Sequence, residues 1–181
     1  MISVRNSVLV VIDIQGKLAR LMHSSDYLSC VKAMIKAAHL LEIPIVLTEQ
    51  APEKIGGTIP EIHELLHEKA PIVKRTFSCW GEEQFVNAVN GLGRNEIIVV
   101  GIESHVCVYQ TVRDLVRENY HVHVVTDAIS SRAFHNAQMG IERCQKDGAV
   151  LTTTEMVITE LIGSTRHPKF RDIMALLKES K

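Results

Sequence analysis

Cys107 sits six residues past Gly101, where the apolar run EIIVVGI gives way to a helical pattern. A thiol at such a junction meets the unpaired N–H groups and positive dipole end of the helix, which favour thiolate. The same N–H groups can hold an oxyanion. Asp13 ends a second apolar run, VLVVI, where an unpaired carboxylate is costly. Lys74 ends a third, IVK. Each also has a plain structural reading. Cys107 would be a small buried apolar residue, Asp13 a cap or loop anchor, and Lys74 a lysine whose stem covers a sheet edge. Brought to one rim, the three fit nucleophilic catalysis: a carboxylate takes the thiol proton and an ammonium stabilises both anions. Lys74 and the helix end predict a Cys107 pKa modestly below the ordinary thiol value of about 8.5. A Lys74→Met change keeps the stem, so it predicts stability unchanged or slightly raised, with slower Cys107 alkylation if Lys74 serves the site.

Other residues compete for chemical roles. His63-Glu64-Leu65-Leu66-His67 reads H-E-x-x-H, which on a helix would put two zinc ligands and a base on one face. Pro60 and Pro71 bound that stretch closely, and no third ligand is evident nearby. His121 and His123 share a strand face by alternation, an incomplete site by themselves. Gln50, Phe77, Trp80 and His105 are candidate substrate-pocket residues by placement, although packing or surface exposure would account for each. Gly91-Leu92-Gly93 precedes a strand instead of following one, so it is no dinucleotide fingerprint, and no phosphate-binding G-x-x-x-x-G-K-[ST] occurs.

The elements that must position these residues alternate along the chain. Continuous β-branched runs at Val8–Ile12, Ile45–Thr48, Ile72–Arg75, Glu96–Ile102, His121–Thr126 and Ala149–Thr152 predict six strands buried on both faces. Helical patterns separate them, at Asp26–Glu42, Glu61–Lys69, Glu82–Leu92, Val108–Val116, Ala133–Lys146 and Thr154–Leu161, and a terminal docking helix is predicted over Pro168–Ser180. Strand–helix alternation implies an α/β, three-layer Rossmann-like fold: a six-stranded, mostly parallel sheet with helices on both faces. In such a sheet ligands bind beyond the carboxyl ends of the strands, where strand order reverses. The 181 residues contain no linker or repeat and read as one domain, residues 1–181.

Composition narrows the partners. Twenty Lys and Arg against 21 Asp and Glu leave a formal charge of −1, so no basic surplus draws the chain to nucleic acid or membrane. The apolar runs are far shorter than the roughly 20 residues of a spanning helix, and the start of the chain lacks the apolar stretch of a signal peptide. Cysteines 30, 79, 107 and 144 form no C-x-x-C pair, which fits a reduced, cytoplasmic compartment.

The chain resembles the isochorismatase-like cysteine hydrolases from VLVVIDIQ through KRTFS and GIESHVCV to TDAISSR and GAVLTTTEMVITEL. The resemblance implies a catalytic Asp, Lys and Cys at Asp13, Lys74 and Cys107. It also implies a cis Ile102–Glu103 peptide, with the backbone N–H groups of Glu103 and Cys107 as an oxyanion hole. It further implies a homo-oligomer, for which the His121/His123 edge or the tail helix could supply contacts. Nicotinamidases of that family carry an Asp-x-His metal motif after the second strand; here the position reads TEQAPEK. The expected function is therefore metal-independent, cofactor-free hydrolysis of a small amide-like substrate through a thioester. The alternatives are a catalytically silent ligand-binding or interaction protein of the same fold, and a zinc hydrolase using His63, Glu64 and His67.

Overall fold

A computed structural model describes residues 2–179. Six strands, β1 (Ser7–Ile12), β2 (Ile45–Gln50), β3 (Ile72–Lys74), β4 (Glu96–Ile102), β5 (His121–Ser130) and β6 (Val150–Thr152), form one sheet in the order β3-β2-β1-β4-β5-β6. Every pairing is parallel. The helices are α1 (Tyr27–Leu40), α2 (Pro52–Ile55), α3 (Pro60–His63), α4 (Glu83–Gly91), α5 (Tyr109–Arg117), α6 (Phe134–Lys146), α7 (Thr154–Ile162) and α8 (Phe170–Glu179). The tail helix thus starts two residues later than its pattern suggests, and Ser180 lies outside the described residues.

Side-chain alternation along the central strands builds two cores. Leu9 and Val11 of β1 and Ile98, Val100 and Ile102 of β4 face α1, α7 and α8. Val8, Val10, Ile12, Ile97 and Val99 face α4, α5 and α6. All of these residues are essentially inaccessible to solvent. Burying each such side chain contributes about 1.5–3 kcal/mol, which is why runs without polar interruptions become the middle of the sheet.

Strand order reverses between β1 and β4, so the crevice beyond their carboxyl ends is the natural place for a site. Gly101 lets the two strands close there. It has φ +126°, and a Cβ on it would lie 2.1 Å from the Ile12 carbonyl oxygen.

Two local expectations need correction. The stretch Glu61–Lys69 is not one helix: α3 stops at His63 and a 3₁₀ turn covers Glu64–Leu66. The regular i, i+4 presentation of His63 and His67 is therefore lost, and both rings are exposed. Second, β5 lies between β4 and β6, so His121 and His123 occupy no sheet edge; His123 instead pairs with Glu96 at 2.6 Å. The tail helix docks as its pattern predicts, burying Ile173, Leu176 and Leu177 in the core with α1.

Candidate active site

Two strand ends and one turn build the site. β1 delivers Asp13, β3 delivers Lys74, and the turn after β4 delivers Cys107. Asp13 leaves its strand in a left-handed conformation, φ +51°, which Asp tolerates better than most residues. Lys74 points inward by alternation: its neighbour Val73 is exposed, while Ile72 and Lys74 are buried. Such strain and such a buried cation are typical of functional positions.

Lys74 Nζ lies 2.7 Å from Asp13 Oδ2, and both side chains are almost wholly enclosed. The ammonium is also 2.7 Å from Gln50 Oε1, 3.0 Å from the Phe77 carbonyl and 3.2 Å from the Thr76 carbonyl. Four acceptors thus surround three N–H groups. The Thr48 hydroxyl donates to the other carboxylate oxygen, Asp13 Oδ1, at 2.8 Å. Oδ2 receives no hydrogen bond from any other nitrogen or oxygen among the described residues.

Cys107 stands in a π-helical turn, Ser104–Val108, that leads into α5. The Glu103 carbonyl accepts from Val106 N–H at 3.0 Å and from Val108 N–H at 3.3 Å, passing over the N–H of Cys107 between them. Such π-turns are frequent at functional sites because they re-aim one residue. α6 braces the turn through Gly140, where a Cβ would come within 2.6–2.8 Å of Ser104 and His105 backbone atoms. The Ile102–Glu103 peptide is cis. Glu103 is buried and gripped by Arg132, whose Nε and Nη2 reach its two carboxylate oxygens at 3.0 and 3.2 Å. Burial alone would raise the Glu103 pKa, but the Arg132 bonds outweigh it and hold the carboxyl below its ordinary range.

The thiol differs from its sequence expectation. Burial, and then the charge of Asp13, push Cys107 well above the ordinary thiol value, and Lys74 opposes them only in part. The resting state is a neutral thiol beside a carboxylate. The helix end does not acidify it, because removal from water outweighs a partial positive charge.

The four pocket candidates separate. Gln50 is engaged with Lys74. Trp80 packs edge-on against Phe85 and Tyr120, with ring centroids 6.3 and 5.6 Å away. His105 Nδ1 is tied to Ser131 Oγ at 3.0 Å. Phe77 remains 56% exposed, next to the loop carbonyls that hold the ammonium. Thr48, Cys79, Gln15 and Arg132 received no role from sequence. The one available signal was a polar Thr48 closing the apolar run IVLT. Cys79 is fully buried, with Sγ 3.8 Å from Thr48 Oγ1, and feels both Asp13 and Lys74. No group of three His, Cys, Asp or Glu side chains among the described residues is placed to hold a metal ion, and His67 Nδ1 lies 3.2 Å from the Glu64 carbonyl.

These groups make stability sensitive to alkali. Burial pushes Cys79 and Cys144 from 9.0 up to about 12. Lys74 is also raised: burial acts against its charge, but Asp13 and the two neighbouring thiols outweigh it. A group with a raised folded pKa stabilises fully below its unfolded pKa, and the contribution fades as pH climbs to the folded value. Thermal melts should therefore show the midpoint falling as pH rises from about 9. A midpoint unchanged to about pH 11 would contradict these assignments.

Residues 7–156 match the isochorismatase domain model. Isochorismatase domain-containing protein 2 of Xenopus laevis is 34% identical over 176 residues, spanning 97% of this chain and 85% of the relative. The solved structure of a MAR1 ribonuclease from Caenorhabditis elegans is 37% identical, with a TM-score of 0.91 over 98% of this chain and 92% of that one. The ycaC gene product of Escherichia coli, described as an octameric hydrolase of unknown specificity, is 24% identical and shares the fold, with a TM-score of 0.86 over 99% of this chain and 97% of that one. With a matching domain model over most of its length and the matching sheet, the chain belongs to the isochorismatase family.

Proposed function

We propose that this protein is a cysteine hydrolase that cleaves a small amide or related acyl compound through a thioester on Cys107. The buried Asp13–Lys74 pair beside the thiol carries the reading. Asp13 Oδ2 takes the Cys107 proton as Sγ adds to the substrate carbonyl carbon. The backbone N–H groups of Glu103 and Cys107 receive the oxygen that becomes negative. As the tetrahedral species collapses, the C–N bond breaks and the amine leaves with the proton from Asp13. Water then gives a proton to Asp13 and adds to the thioester carbonyl. Collapse expels the Cys107 sulfur, which recovers the proton, and releases the acid. Lys74 keeps its charge throughout and stabilises whichever anion is present. Every step uses groups of the chain itself.

The substrate reading is favoured over a polynucleotide, even though the worm neighbour is named a ribonuclease. The net charge is −1, and no surplus of cations is available for a phosphate backbone. Four unpaired cysteines support a reducing, cytoplasmic setting, and no helix among the described residues is long and apolar enough to cross a membrane. One sheet covered on both faces supports a single domain over the whole chain. Exposed Val150 and Met156 beside the short edge strand β6 support self-association.

The test is a screen of small amides and esters, with intact-mass detection of an acyl adduct. A turned-over compound should leave an adduct on Cys107, and Cys107→Ala should abolish both adduct and turnover. Turnover that survives in Cys107→Ala overturns the mechanism. Ligand binding without adduct or turnover would instead favour the silent binding protein.

A further inference from the structure

We propose that Gln50 is a positioning residue that holds Lys74 with an uncharged oxygen, so that Asp13 remains the only carboxylate on the ammonium. This inference rests on the hydrolase reading above and assigns a role that placement alone would give to substrate contact.

The geometry fixes the orientation of the Gln50 amide. Its Nε2 donates to the Arg75 carbonyl at 3.1 Å, and its Oε1 accepts from Lys74 Nζ at 2.7 Å. A flipped amide would set nitrogen against the ammonium and oxygen against a carbonyl, losing both bonds. Gln50 and Lys74 are direct partners in the β2–β3 register, and the N–H of Ala51 bonds the Lys74 carbonyl at 3.1 Å.

Gln50 is itself clamped. Gln15, fully buried two residues beyond Asp13, accepts from the Gln50 N–H at 2.6 Å and donates to the Gln50 carbonyl at 3.1 Å and the Gly56 carbonyl at 2.6 Å. Ala51 then turns the chain with φ +38°, a conformation that L residues other than Asn and Asp rarely take. A strained turn held by a buried amide is what a fixed contact, more than a mobile substrate ligand, requires. The result is a relay from Gln15 to Gln50 to Lys74 to Asp13, closed on itself because Gln15 and Asp13 leave the same strand.

The uncharged character of this oxygen matters because the ionisable groups acting on the ammonium are Asp13, Cys79 and Cys107, and Glu82 feels it from farther out. Arg75, next in sequence, is paired outward with Glu53 at 2.5 Å. A carboxylate at position 50 would share the single cation with Asp13 and leave the centre with an extra negative charge. That charge opposes both the Cys107 thiolate and an oxyanion.

The experiment measures the rate of Cys107 alkylation by iodoacetamide, a neutral reagent, against pH, with peptide mapping. Gln50→Glu keeps the size and the accepting oxygen. It should slow alkylation at neutral pH by about tenfold or more and move the profile to higher pH by about one unit. Gln50→Met removes the acceptor and adds no charge, so it should slow the reaction a few-fold with the midpoint unmoved. Circular dichroism establishes that each variant is folded. A Gln50→Glu profile superimposable on wild type overturns the proposal. So does a folded Gln50→Met protein whose Cys107 reacts at the wild-type rate, which keeps the test decisive should Gln50→Glu fail to fold. Alkylation needs no substrate, so an absence of acyl adducts on the wild-type protein would fail the hydrolase reading and leave this result to be judged separately.

Discussion

Lys74→Met should lose about 3–5 kcal/mol of stability, because it strips the partner from a buried carboxylate and orphans two loop carbonyls. The carbonyls are those of Thr76 and Phe77, whose oxygens lie 3.2 and 3.0 Å from the ammonium. This reverses the sequence-level expectation of a tolerated swap. That expectation treats the stem as the part that matters, whereas the structure places the charge itself inside, 2.7 Å from Asp13. Urea unfolding of the variant checks it, and a loss below about 1 kcal/mol would mean the pair is not structural. The double variant Lys74→Met with Asp13→Asn should recover part of the loss, since no charge is then left unpaired. Cys107 alkylation in the single variant should also slow, because the cation that opposes the upward push on the thiol is gone.

Asp13→Asn should separate two readouts that a merely structural residue would move together. Asparagine fits the left-handed backbone at φ +51° and keeps an oxygen for the Thr48 hydroxyl, so the local shape is retained. The amide cannot take a proton. Turnover of any substrate found by the screen should fall by about 10²–10⁴-fold, the usual worth of a positioned base. Alkylation of Cys107 should move the other way. The Asp13 charge and its hydrogen bonding with the thiol are among the causes that raise the Cys107 pKa, so their removal leaves Lys74 to favour thiolate. A variant in which turnover and alkylation both drop by the same factor would point to a displaced Cys107 instead of a lost base.

Sequence alone determined the sheet, and it singled out three side chains on which the proposed function rests. Uninterrupted β-branched runs such as VLVVI and EIIVVGI can satisfy both faces only as central parallel strands, and parallel strands bring their following residues to one rim. Asp13, Lys74 and Cys107 could be singled out for that reason, and the motif resemblance grouped them as one set. Tertiary structure decided everything that depends on who faces whom across the sheet. Gln15 follows β1, Thr48 and Gln50 lie on β2 and Cys79 sits in the turn after β3, and nothing local marks them as one network around Asp13 and Lys74. The thiol pKa turned on burial, which no helix-end argument contains. The H-E-x-x-H string lost its helical geometry where Ile62 and Leu66 drop into the core and the backbone tightens to a 3₁₀ turn between them. Periodicity records which residues are apolar and in what order; distances between strand ends, and the water excluded from them, exist only once the chain has folded.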